Sequence, residues 1–594
     1  MFRIQSLLFF VCCTPLIAAE PTAPRGGGAT GHPLATEAGL DALRAGGNAV
    51  DAAVAAALML GVVDGHNSGI GGGCFLLIRT ASGEFIAIDG RETAPARATR
   101  DMFLRRDRPD FRVKEDGTVP LDLAPLGPLK LQPQPELSLT GPLAVATPGA
   151  LAAYELALRR CGRLGLSKLF LPAAEVAENG FPIGKAYAAR LERMADTLAR
   201  FPGTHEILLR PDGTPYRAGE ILRQADLAAT YRQIAEKGID WFYRGTFAER
   251  VGKWMEENGG ILSADDFARY RPQLREPLVG TYRGYTIVGF PPPSSGGVHV
   301  QQILNVLEHF DLKKLHAERP ARLYHVLAEA IELAFADRAH WLGDPDFVRV
   351  PRGLVDKQYG AELARRIDLN RSIEVSGHGR PPRAEEDYFG TPGRRRDALG
   401  GTTPAAEKHT THIATADAEG NWVALTATVN TEFGSKVIVP GTGVVLNNEM
   451  DDFAADPGAS NAFGLVGAEA NAVASGKRPL SSMSPTIVLK DGEPILTLGA
   501  AGGPTIITQV VQAITWHLDF GLPLPEAVAA SRIHHQWRPD ELRVEESIPE
   551  PIVEELVRMG HNVKRVEPMG RLQAVATLPH GRGFVIVRDP RVER

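Results

Sequence analysis

Residues 409–430 read HTTHIATADAEGNWVALTATVN. Two runs of small, β-branched and apolar residues flank Glu419-Gly420-Asn421, which reads as a turn between two strands. The stretch upstream, residues 371–409, has few large apolar side chains and many Gly, Pro and charged residues. Such a segment cannot bury enough surface to offset its ordering, so it is expected to be mobile, the competing reading being a plain linker. A loose polar segment that stops at Thr-Thr-His before a strand has a chemical meaning. A Thr hydroxyl is a weak nucleophile unless a base activates it. An N-terminal Thr carries that base in its own α-amine, whose reference pKa is about 7.7–8.0. Freeing the amine inside a chain requires cleavage before the Thr. The dipeptide alone is otherwise just two strand residues.

Outward from this point the chain keeps a β texture. GVVLNNEM (443–450) reads as a strand, and SPTIVLKDGEPILTLGA (484–500) as a hairpin turning at Asp491-Gly492. A helix is expected over 505–520 and strands near 541–545, 571–578 and 583–588. The middle, 150–370, has helical spacing over 170–198, 225–257 and 319–342. Near the start, residues 34–62 read as two helices separated by Gly46-Gly47. The run NSGIGGGCFLLI (67–78) is a glycine loop feeding a buried strand. A dinucleotide fingerprint needs its glycines between strand and helix, so that reading is rejected.

Composition narrows the function. The 594 residues carry 65 Lys and Arg against 71 Asp and Glu, a net charge of −6. This disfavours a sequence-independent nucleic-acid binder and a polybasic membrane-surface protein. At roughly 150 residues per domain the length alone suggests several domains. Residues 1–19, with Arg3, an apolar run from Ser6 to Ile17 and then Ala18-Ala19, have the pattern of a secretory signal. A buried N-terminal strand is the competing reading. No other run reaches membrane-spanning length. Cys74 and Cys161 would remain in the exported chain, and read better as buried small hydrophobes than as a disulfide. His534 and His535 are adjacent and would point to opposite faces of a strand, so they read as structural rather than metal-binding.

The stretch from Thr411 to Phe453 closely resembles the start of the small subunit of γ-glutamyltransferases, N-terminal-nucleophile hydrolases made as one self-cutting chain. Further resemblances, in family order, are HPLATEAGLDALRAGGNAVDAAVAAALMLGVV (32–63), SGIGGG (68–73), DGRETAPA (89–96), PPPSSGG (291–297), RPLSSMSPT (478–486) and AAGG (500–503). The resemblance implies an α+β, four-layer αββα sandwich, one domain built from two autoprocessed subunits: a signal over 1–19, a large subunit over 20–409 and a small catalytic subunit over 410–594.

It also implies roles. Thr410 matches the nucleophile of both processing and catalysis, and Thr428 the second Thr that hydrogen-bonds it. Arg91, Ser481 and Ser482 match groups for a substrate α-carboxylate, which a guanidinium fork suits. Asn430, Glu449 and Asp452 match groups around the α-amine. Gly502 and Gly503 match the oxyanion hole. The implied donor is glutathione or a related γ-glutamyl compound, and the acceptor water, an amino acid or a peptide. The reaction calls for no metal or organic cofactor. A periplasmic or extracellular location follows from the signal. Cys74 stands where a fourth glycine is common, and GAAGG (499–503) replaces GSPGG. Phe463, in a stretch resembling the bacterial lid loop (454–464), falls where some members carry a Tyr gate. Two alternatives remain open: an acylase for glutaryl or cephalosporin side chains, whose substrates lack the α-amine, and an exported binding protein without chemistry.

Overall fold

The computed structural model describes residues 20–21, 26–106, 131–133, 135–390, 409–454, 461, 463–578 and 583–593. The signal pattern, residues 391–408 and most of the lid-like stretch lie outside them.

Two antiparallel sheets form the centre. One runs, in order, Gly26–Ala29, Thr411–Asp417, Trp422–Thr428, Gly73–Arg79, Phe85–Gly90 and Gln273–Arg275. The other runs Glu20–Pro21, Phe584–Arg588, Arg571–Thr577, Glu493–Ala501, Thr486–Lys490, Tyr285–Gly289 and Leu278–Tyr282. Their facing sides meet at Thr497, whose hydroxyl donates to the Val423 carbonyl at 3.2 Å, and at Gly499. A Cβ on Gly499 would lie 2.4 Å from the His412 ring, so only glycine lets the sheets approach there.

Helices cover both outer faces. Ala49–Val63 and Ala150–Cys161 pack on the first sheet, Gly296–Leu307 and Thr505–Leu518 on the second. The central strands are therefore buried on both sides, as Thr411–Asp417 and Trp422–Thr428 are at every residue. Their side chains still alternate. Ala414, Ala416, Trp422 and Ala424 join the core between the sheets, while Ile413, Val423 and Leu425 join the core under the first helical layer. This is the αββα sandwich that the resemblance implied. Both sheets mix strands from before residue 409 and after 410, so the several domains suggested by length collapse into one body.

Local signals hold up in most places. The break at Gly46-Gly47 separates Pro33–Arg44 from Ala49–Val63, and Asn48 caps the second helix in a reciprocal pair with Asp51, worth about 1 kcal/mol. Asp491 and Gly492 both take positive φ, 52° and 84°, as a tight hairpin of this hand requires. Cys74 and Cys161 are both free.

Two expectations fail. GVVLNNEM is not a strand: Val445 makes a lone bridge to Ile438, and Glu449–Asp452 is a 3-10 turn. The Asn447 side chain bonds Gly71, Ala146 and Glu449 backbone groups, and such bonds compete with a ladder. The polar segment is anchored over the part that the structure describes. Residues 371–390 pack on the body, with Val375 and Phe389 buried. Gly379 donates to Asp337 at 2.6 Å, and Trp537 donates to the Val375 carbonyl at 2.8 Å. A few anchors suffice where composition predicts none.

Candidate active site

Thr410 stands at the entrance of the Thr411–Asp417 strand and is buried, as is His409 before it. Its hydroxyl donates to the His409 carbonyl at 2.6 Å, and the Thr428 hydroxyl donates to the same carbonyl at 3.0 Å. The two hydroxyl oxygens lie 3.3 Å apart. The Asn430 N–H in turn donates to the Thr428 oxygen at 2.8 Å, fixing its orientation. Asn430 takes a positive φ of 78°, a conformation that non-glycine residues adopt where the surroundings enforce it. Two O–H donors on one peptide carbonyl polarise its carbon toward attack. The His409 ring is held by Asn67 at 2.9 Å. Burial, then Arg190 and Arg571 nearby, keep it well below the usual histidine range and therefore neutral.

The sheet carries this end toward the charged one. Thr428 pairs with Gly73, and Cys74 with Gly90 on the next strand, which ends just before Arg91. Two strand spacings, about 10 Å, separate the Thr428 strand from that of Arg91. A Cβ on Gly72 would sit 1.9 Å from the Thr428 carbonyl and one on Gly73 would strike Glu92, so the GGG run permits both approaches.

Arg91 is 1% exposed. It forms ion pairs with Glu449 and Asp452, lies 3.7 Å from Glu92, and donates through Nε to the Pro479 carbonyl at 3.0 Å. Three carboxyl groups thus surround one buried guanidinium. Burial opposes the Arg91 charge, but Glu449, Asp452 and Glu92 outweigh it and hold its pKa above the ordinary value. Burial pushes Glu92 up to about 7 and Glu449 well above the usual carboxylate range, against the pull of Arg91. The cluster therefore holds a proton near neutral pH.

Pro479 opens the loop with Ser481 and Ser482. This loop lies beside the PPPSSGG loop: Ser295 donates twice to the Ser481 carbonyl, through its N–H and hydroxyl, both at 2.8 Å. Arg338 ties both loops, donating to Ser295 Oγ at 3.0 Å and Ser482 Oγ at 3.1 Å. Burial lowers Arg338 to about 10, with Asp452 opposing. Arg338 and Asp452 line one narrow cleft with Asn461, Gly467, Asn471 and Leu480. Sequence reasoning passed over Arg338 and Glu92. No local signal set Arg338 apart from the other charged residues of the 319–342 helix; for Glu92 the available signal was its place next to Arg91.

Gly502 and Gly503 follow Glu493–Ala501 with φ of 131° and 55° and open the helix Thr505–Leu518. Thr497 lies over Val423, which pairs with Thr415, and Gly499 lies over His412. Continuing in that direction brings the 502–503 turn to the Thr410 end of the sandwich. Its position before a helix N-terminus favours a developing negative charge. Phe463 is buried rather than presented as a gate.

A doubly covered sandwich whose central strand begins at a buried Thr defines an N-terminal-nucleophile hydrolase fold. The comparisons agree. A cephalosporin acylase structure from Bacillus halodurans superposes with a TM-score of 0.80 at 28% identity, covering 100% of this chain and 98% of that one. The gamma-glutamyltranspeptidase family model matches residues 35–594, and the chain belongs to that family. It is 42% identical to the glutathione hydrolase proenzyme of Escherichia coli (strain K12), over 94% of this chain and 89% of that one. It is 37% identical to the acylase ACY 1 proenzyme of Pseudomonas sp. (strain SE83), over 94% and 90%.

Proposed function

We propose that this chain is an exported γ-glutamyl hydrolase and transferase that first cuts itself between His409 and Thr410. The carrying observation is the pair of hydroxyls on the His409 carbonyl, Thr410 at 2.6 Å and Thr428 at 3.0 Å. In processing, Thr410 Oγ attacks the His409 carbonyl carbon, the peptide becomes an ester, and water hydrolyses it. The products are a large piece ending at His409 and a small one beginning at Thr410, held together by their shared sheets.

The freed Thr410 amine then serves as base. Thr410 Oγ attacks the γ-carbonyl of glutathione or a related donor, Gly502 and Gly503 N–H groups stabilise the oxyanion, and the amine protonates the leaving group. Water or an acceptor amino acid or peptide takes the γ-glutamyl group from the ester. Arg91, Ser481 and Ser482 bind the donor's α-carboxylate. Asn430, Glu449 and Asp452 bind its α-ammonium. A zwitterion entering the Arg91 cluster replaces the internal ion pairs with two of its own.

The acylase reading has support in two of the relatives. The three carboxyls around Arg91 favour the γ-glutamyl reading, because a glutaryl group would supply no cation to offset them. Among the described residues no helix is long and apolar enough to cross a membrane, and residues 1–19 would direct export to the periplasm or beyond.

Two measurements test this. Denaturing electrophoresis should show two fragments from the purified protein and one full-length band from Thr410→Ala; an uncut wild-type chain after prolonged incubation sinks the proposal and favours a mere binding protein. Comparing γ-glutamyl and glutaryl anilides should give faster γ-glutamyl release. A faster glutaryl reaction makes the chain an acylase.

A further inference from the structure

The helix Pro320–Trp341 carries a second group of buried polar side chains on the face away from Arg338. His325 and Glu329 are four residues apart and share one face. His561, from the turn before the strand Val563–Val566, meets them. All three are buried. His325 Nδ1 lies 2.7 Å from His561 Nε2, and Glu329 Oε1 lies 3.9 and 3.8 Å from these two nitrogens.

These three separations fix a triangle. One point in its plane is about 2.1 Å from all three donor atoms, which is the length of zinc–nitrogen and zinc–carboxylate bonds. The opposite side of each ligand is anchored. His325 Nε2–H donates to the Asp368 carbonyl at 2.7 Å, which leaves Nδ1 to accept from His561 Nε2–H, the proton that a bound ion would displace. Glu329 Oε2 accepts from the Ile373 N–H at 3.2 Å. Oε1, aimed into the group, has no hydrogen-bond partner among the described residues. A buried carboxyl oxygen left without a partner is costly.

A second cluster lies one helical turn further along. Glu332, one turn on from Glu329, gathers with His535 and Asp540 so that their ligand atoms lie within 4.8 Å of one another. The Asp540 side chain is 79% exposed.

We propose that His325, Glu329 and His561 bind one divalent transition-metal ion, zinc being the ion their nitrogen and oxygen donors suit, and that the ion joins the segment before residue 409 to the segment after it. Two ligands come from the first and one from the second. The same junction is closed by the Ser372 N–H donating to the Met559 carbonyl at 2.6 Å. The ion is remote from the acyl chemistry and acts on cohesion. The joining role rests on cleavage at Thr410, whereas binding does not.

The experiment is zinc competition against a chromophoric chelator, on tag-free protein stripped of metal, with the uncut Thr410→Ala chain in parallel. One equivalent should bind in both forms. His561→Ala and Glu329→Gln should each weaken it by about a hundredfold or more, while His535→Ala leaves it within a few-fold. Zinc should raise the melting temperature of the wild-type protein, and this rise should vanish in the two ligand variants. Absence of stoichiometric binding to the wild-type chain overturns the site, with no variant needed. So does binding lost through His535→Ala but kept in His561→Ala. Binding in Thr410→Ala together with an uncut wild-type chain would retain the site and remove only the joining role.

Discussion

Thr410 is held by hydroxyls and a peptide carbonyl; Arg91, three strands across the sheet, is held by carboxyl groups buried with it. The first arrangement is short-range. It follows from a strand that starts at Thr411 and a partner strand that ends at Thr428. The second is assembled from four separate segments, 89–92, 338, 449–452 and 479–482. Neutral hydroxyls tolerate burial at small cost, and what matters there is reach. Buried charges have a large desolvation cost, so what matters at Arg91 is that every charge has a partner. The difference teaches that self-cleavage should depend on the hydroxyl end alone, while substrate turnover should need both.

The largest effect should come from breaking the charged end. Arg91→Ala should cut kcat/KM for a γ-glutamyl anilide by about a thousandfold, roughly 4 kcal/mol, while fragments still form on a denaturing gel. Loss of cleavage in this variant would show that the two ends are not separable. Thr428→Val removes one donor from the His409 carbonyl. It should slow both fragment formation and anilide turnover by about ten- to a hundredfold, read from gel time courses and initial rates. A change in turnover alone would place Thr428 outside processing.

Arg338→Met should raise KM for the donor by about tenfold with cleavage unchanged, because it frees Ser482 and removes a cation beside Asp452. A further effect concerns pH and stability rather than turnover. Burial raises Glu92 from 4.5 to about 7, so the folded chain binds that proton more tightly than the unfolded one. The resulting stability is complete below pH 4.5 and is lost as pH rises through about 7. It amounts to at most about 3 kcal/mol. Glu92→Gln should flatten the fall in melting temperature between pH 5 and 8. An unchanged slope would assign that proton to another group.

Many of the helices and strands were legible because their signals are local, while the sandwich itself came from the resemblance. The Gly46-Gly47 break and the Asp491-Gly492 turn act through backbone geometry within a few residues. The loop after Gly443 was misread because Asn447 bonds backbone groups of Gly71 and Ala146, hundreds of residues away in sequence. Residues 371–390 were misread for a similar reason, since their anchors, Asp337 and Trp537, lie on other elements.

The site divides in the same way. By itself the sequence determined the strand that follows Thr410 and the turn that returns the chain toward Thr428; the pairing of their hydroxyls came from the family resemblance. It also supplied the separate motifs around Arg91, Glu449, Asp452 and the serines. Only the tertiary structure decided that three carboxyls, Glu92 among them, share one guanidinium, that Arg338 joins them, and that His561 meets His325 and Glu329. Those contacts depend on burial and on long-range packing, where the low polarity of the interior makes each charge depend on partners that no stretch of sequence contains.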